Sequence, residues 1–166
     1  MNAKDAQKAE REREIFAEFA HVAALGVNPS SIESLSPPDA DIRCRVGSLI
    51  IECEMGEIAD TPVARTVAES IKTGEPAGAA FSQDEPLHDL FLKKALRRYR
   101  TVATPLILLT YYDKQYPPEY DLRIIPDTIG EIAENMVSSH CFDCVFVYDT
   151  WKQRLLWRYP LLVFSI

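Results

Sequence analysis

The sequence predicts a mixed α/β fold in which one β-sheet is flanked by helices. Three observations carry that prediction. Residues 40–46 (ADIRCRV) and 49–55 (LIIECEM) alternate apolar and polar side chains with period two, as half-buried strands do. Residues 10–25 and 86–100 instead repeat their apolar residues at helical spacing. The two kinds of segment succeed one another along the chain, the order of a sheet with helices on its flanks.

From the N-terminus, the first helix runs to about Leu25, with Ile15, Phe16, Phe19, Val22 and Ala23 on one stripe. Gly26 stands where a C-terminal cap belongs, and Asn28-Pro29 stops the helix. SIESL (31–35) is a candidate short strand, and Pro37-Pro38 enforces an extended backbone leading into a hairpin. In that hairpin Ile42, Cys44 and Val46 oppose Asp41, Arg43 and Arg45; Gly47-Ser48 turns the chain; Ile51, Cys53 and Met55 oppose Ile50, Glu52 and Glu54. A helix is expected over 61–74, capped by Thr61 and Pro62 and ended by Gly74. A small-residue loop to Pro86 leads into the second strongly patterned helix, 86–100, and the buried strand 104–112. A loop over 112–121, a helix over 126–140 and a closing strand–turn–strand over 144–160 complete the order.

At 166 residues, with 47% hydrophobic and 10% aromatic content, the chain can bury a core without disulfides, and 1–166 is expected to be a single domain. Apolar runs such as PLILLT are far too short to span a bilayer. The first residues lack a secretory apolar stretch, so the expectation is a soluble, cytoplasmic protein, from a bacterium, with no membrane partner. A net charge of −7 argues against a general polyanion-coating protein. It leaves room for a nucleic-acid enzyme, because a carboxylate-lined metal site is itself negative and the bases are clustered. KKALRRYR holds Lys93, Lys94, Arg97, Arg98 and Arg100. That cluster is either a solvated helix face or a phosphate-contacting one.

The sharpest chemical question lies in PPDADIRCRVGSLIIECEMGEI (37–58). Strands disfavour acidic residues, yet Asp39, Asp41, Glu52 and Glu54 fall in and around this hairpin. Period two sets them on one side of the sheet. Carboxylate oxygens at such spacing suit Mg²⁺, which takes hard ligands and polarises phosphoryl groups. The alternative is a wet hairpin face on which Arg43 and Arg45 pair the acids.

Pro38-Asp39, a strand, a turn and a strand with Glu52-x-Glu54 resemble the PD-(D/E)XK nuclease superfamily, whose motif is Pro-Asp, a spacer, then Asp/Glu-x-Lys. The similarity extends over roughly residues 10 to 112, including a basic helix before a buried strand (KKALRRY, then TPLILLTYYD). It implies a restriction endonuclease-like sheet and Mg²⁺- or Mn²⁺-dependent hydrolysis of nucleic acid, most of all DNA, by a chain that works as a homodimer. Asp39, Glu52 and Glu54 would be its catalytic and metal-binding acids. The chain departs from the motif at the lysine. If Glu52 is the motif acid, Glu54 stands in the lysine position; if Glu54 is, Gly56 stands there, and Glu57-Ile58 matches a Glu-x-x-Glu-Ile variant.

Helical geometry selects a replacement. At about 100° per residue, Leu87, Leu90, Phe91, Leu92, Ala95, Leu96 and Tyr99 centre one broad apolar face of the second helix. Lys93 points away from that face, Lys94 lies on its border and Arg98 further inside. In relatives the lysine sometimes comes from such a helix, which implies Lys94 as the catalytic lysine, with Arg97, Arg98 and Arg100 contacting nucleic acid. Glu12 shares the stripe of Ile15, Phe16 and Phe19, and the resemblance implies a metal-site glutamate on this helix. Cys141-x-x-Cys144, beside His140, has zinc-ligand spacing, while Cys44 and Cys53 fall on the apolar hairpin face. The alternative to a nuclease is a degenerate, non-enzymatic interaction module of the same fold.

Overall fold

In the computed structural model, which describes residues 3–58, 86–99, 105–112, 125–139 and 141–160, the first apolar stripe forms helix α1 (Ala3–Val22). The helix expected over 61–74, the loops after Gly74 and Tyr112, Arg100 and His140 lie outside the described residues. Helix α1 ends one turn earlier than the glycine suggests. Leu25 N–H donates to Ala20 O (3.0 Å) and Ala24 N–H to His21 O (3.1 Å), a Schellman closure that puts Ala24 in the left-handed region at φ 52°. Gly26, at φ 67°, takes the second left-handed position. A side chain in that region costs about 1 kcal/mol. Ala24→Gly is therefore expected to raise stability by about 1 kcal/mol, read as a higher urea midpoint; an unmoved midpoint would refute the assignment of the cap.

Strand β1 (Glu33–Ser34), β2 (Ile42–Val46) and β3 (Leu49–Glu57) are joined antiparallel, with Ile42 opposite Cys53 and Val46 opposite Leu49 across a turn containing Gly47. Helix α2 (Pro86–Ala95) precedes β4 (Leu106–Tyr112), parallel to β3; helix α3 (Ile125–Ser138) precedes β5 (Cys144–Asp149), parallel to β4. Strand β6 (Arg154–Tyr159) returns antiparallel to β5. The six strands lie in sequence order, so a parallel centre is flanked by antiparallel edges. The turn into β6 is tied by Asp149, whose Oδ1 accepts from the amides of Trp151 (3.0 Å) and Lys152 (3.1 Å).

Alternation along the central strands builds two apolar layers. On one face Ile15, Phe16 and Phe19 of α1 pack on Cys53, Met55, Ile107, Leu109, Phe146 and Tyr148. Phe19 meets Phe146 and Tyr148 edge-on, with centroids 5.0 and 5.7 Å apart, and the Tyr148 hydroxyl donates to Glu18 at 2.8 Å. On the other face Leu87 and Phe91 of α2 and Ala133 and Met136 of α3 pack on Leu106, Leu108, Val145 and Val147. Helices thus cover both faces of one mixed sheet.

The register of the hairpin positions the site. Strand β3 runs beyond the paired part of β2, since Ile42, the first residue of β2, already faces Cys53. Residues 54–57 keep β4 as a strand neighbour, and among the described residues no strand pairs with their other edge.

Candidate active site

Glu54 stands on this free stretch of β3 with its side chain out of water. A buried carboxylate needs partners, and two cations supply them. Lys94 Nζ, from the last turn of α2, lies 2.5 Å from Glu54 Oε1 and also donates to the Met55 carbonyl. Arg97 Nη1, just past the helix, lies 3.0 Å from the same Oε1. Glu54 Oε2 is buried without a hydrogen-bond partner among the described residues. Burial raises the Glu54 carboxyl above its ordinary value and the charge of Asp41 adds to the rise, while Lys94 and Arg97 pull it back.

Asp41 reaches this point by continuing the hairpin register past Ile42. Its amide donates to Cys53 O (3.1 Å), and its Oδ2 accepts the Met55 N–H (2.8 Å), so the side chain closes the ladder where β2 stops. Glu12 comes from the opposite face. It is buried, paired with Lys8 at 3.0 Å, and its carboxyl is raised by burial and then by Asp41, with Lys8 and Lys94 opposing. Acids from α1, from the residue before β2 and from β3 therefore act on one another, with the Lys94 and Lys8 ammonium groups among them.

Gly56 explains how the lysine enters. A Cβ built there would sit 3.1 and 3.2 Å from the Leu90 methyls and 3.3 Å from Lys94 Cε. The stem of Lys94 thus runs through the space into which a lysine at position 56 would project. The glycine lets α2 dock this closely.

The other candidates divide. Lys93 is exposed and Lys94 buried, as the helical phase implied. Arg98 corrects that same wheel: it is exposed, because α2 stops at Ala95 and the phase no longer applies. Asp39 lies in the bend two residues before Asp41, its amide donating to Ser36 O; the acid set against Glu54 is Asp41. Glu52 is reassigned as well. It is fully buried, but Arg43, its cross-strand partner, grips Oε1 through Nε (3.0 Å) and Nη2 (2.6 Å), the pairing expected of an arginine-neutralised face. Arg97 is spent on Glu54 and lies over the Tyr99 ring, 5.7 Å from its centroid. Three participants escaped the sequence reading of the site: Asp41 as the central acid, the Met55 carbonyl and Lys8. Asp41 had a legible signal, because the register that pairs Arg43 with Glu52 sets it beside Glu54.

The cysteine pair does not form a common site. Cys144 packs in the layer against α1 and Cys141 against the opposite layer, so one ion could not collect both thiols. Burial pushes the Cys44 thiol up to about 12, burial and the Asp143 charge push Cys144 up to about 12, and burial raises Cys53 as well. Iodoacetamide at neutral pH is therefore expected to modify half-buried Cys141 first and the other three only on unfolding; rapid native labelling of Cys44 or Cys144 would contradict this packing.

Compared with protein-family models, with curated proteins and with solved structures, the chain has no significant match. Among the described residues no three His, Cys, Asp or Glu side chains gather closely enough to hold a metal ion by themselves. The Lys94 ammonium takes the central position.

Proposed function

We propose that the chain is a metal-dependent phosphodiester hydrolase acting on nucleic acid, with Asp41, Glu54 and Glu12 as its acids and Lys94 as its lysine. One observation carries the reading. Two cations crowd Glu54 Oε1 while Oε2, in the same buried carboxylate, is left without a partner among the described residues. Glu52 Oε2 and Asp149 Oδ2 are orphaned in the same way. Glu54 differs in that a second acid, Asp41, acts on its carboxyl beside Lys94. A ligand held between the two acids would satisfy an oxygen whose burial otherwise costs on the order of 1–3 kcal/mol.

The donors fit a small divalent ion. Glu54, Asp41 and the Met55 carbonyl offer oxygen only, and Mg²⁺ is commonly held by one or two carboxylates together with water and substrate phosphate. When bound, Mg²⁺ or Mn²⁺ supplies Lewis-acid polarisation of a phosphoryl oxygen and a more acidic water. The side chains do the rest. Lys94 sets a positive charge where negative charge develops on the phosphoryl group. Arg97, half-exposed at the rim, suits a phosphate oxygen. Glu12, with its carboxyl held above the ordinary value, is suited to take a proton from water. The finer terms, DNA as substrate and a homodimer as the working form, come from the resemblance to PD-(D/E)XK enzymes.

The test is cleavage of plasmid DNA and of RNA by the purified chain with Mg²⁺ or Mn²⁺. Cleavage should stop with chelator and fall at least about 100-fold in Asp41→Asn and Glu54→Gln. Wild-type protein inert under all these conditions would overturn the proposal. A second reading, an interaction module without catalysis, is favoured by the ammonium that already neutralises the acids. It expects no cleavage and partner binding indifferent to chelator.

A further inference from the structure

We propose that in the resting protein the Lys94 ammonium holds the place of the divalent ion, and that metal entry expels it. This rests on the metal-dependent reading of the same site. Three features converge on it. The ammonium touches Glu54 Oε1 and the Met55 carbonyl, oxygens that a metal at this site would also need. A divalent ion and an ammonium cannot share those oxygens, because like charges at that distance repel strongly away from water. At position 56 the lysine stem passes a glycine, so no side chain there holds it in place. Helix α2 also ends one residue after Lys94, and Leu96, Arg97 and Arg98 just beyond it are exposed, with Leu96 85% accessible, so the lysine can withdraw without unpacking Leu87 or Phe91.

The exchange has a functional consequence. Arg97 bonds the same Oε1 from the rim, so the same repulsion turns it outward with the lysine, which its 45% exposed side chain permits. The released ammonium is then next to the site and free to meet a substrate phosphate. The acids are thus neutralised at rest by the chain's own cation, and the lysine is delivered to the phosphate when the metal arrives.

The competition is measurable without any substrate. An internal occupant lowers apparent affinity by the fraction of molecules in which it has left. Mn²⁺ binding by titration calorimetry is expected to be at least about 100-fold tighter in Lys94→Met than in wild type, as for an occupant that has left in no more than about one of a hundred molecules. On wild-type protein, amine acylation of Lys94, read by mass spectrometry at fixed pH, should rise on adding Mn²⁺; this readout survives even if the variant fails to fold. Equal or weaker Mn²⁺ binding by folded Lys94→Met, or Lys94 acylation unmoved by Mn²⁺ that does bind, would overturn the exchange and leave the metal reading standing. Absence of Mn²⁺ binding in wild type and Lys94→Met alike would overturn both.

Discussion

Replacing Glu54 by leucine is expected to cost about 3–5 kcal/mol of folding free energy, because it leaves the Lys94 ammonium in the interior without its carboxylate. The side chains of Lys94 and Glu54 are 11% and 1% exposed, so neither charge has ready access to water. Arg97 adds little to this loss, since its side chain is 45% exposed and such pairs are worth about 0–1 kcal/mol. The joint variant Glu54→Leu/Lys94→Met should recover most of the stability, because two apolar side chains of similar volume remove the desolvation cost of both charges. Urea unfolding of the two single variants and the double reads this directly. A Glu54→Leu cost below about 1 kcal/mol would mean that the ammonium finds water easily, and the site would then not be a dry pocket. Recovery in the double variant would also mark the pair as retained for chemistry and not for stability.

The second large effect concerns Gly56. Placing a lysine there, Gly56→Lys, should cost about 1–3 kcal/mol in the wild-type background, because the new Cβ meets Leu90 at 3.1 Å and Lys94 Cε at 3.3 Å. In Lys94→Ala the stem of the native lysine is gone, and the same substitution should be tolerated much better. A double-mutant cycle is expected to give a coupling of about 1–3 kcal/mol between the two positions. Under the hydrolase proposal, Gly56→Lys/Lys94→Ala should also regain part of the cleavage that Lys94→Ala loses. Additive stabilities would show that position 56 and the lysine stem do not compete for one space.

Much of this site could be read from residue spacing. Helical phase separated buried Lys94 from exposed Lys93 and set Glu12 on the buried stripe, because one period governs a whole rigid helix. The same reasoning failed at Arg98, three residues past the end of α2, where the period no longer holds. It also failed to tell Asp39 from Asp41. Their spacing gives both the same parity, yet Asp41 lies next to Ile42, the first residue of β2, while Asp39 sits in the preceding bend. Glu52 and Glu54 likewise share a face, but Arg43 stands opposite Glu52 and claims it.

Alone, the amino-acid order determined the alternating strands, the two strongly patterned helices, the mixed α/β class and the short set of acids and bases from which a site could be made, because these follow from periodicity within single elements. Only the tertiary structure decided which of them meet. Register between β2 and β3, the docking of α2 over a glycine and the approach of α1 from the far face are relations between elements distant in sequence. Across a sequence separation of 40, Glu54 and Lys94 carry no local signal of their contact. It arises when packing of the apolar layers brings β3 and α2 together, and the energy of that packing selects the one acid and the one lysine left facing each other.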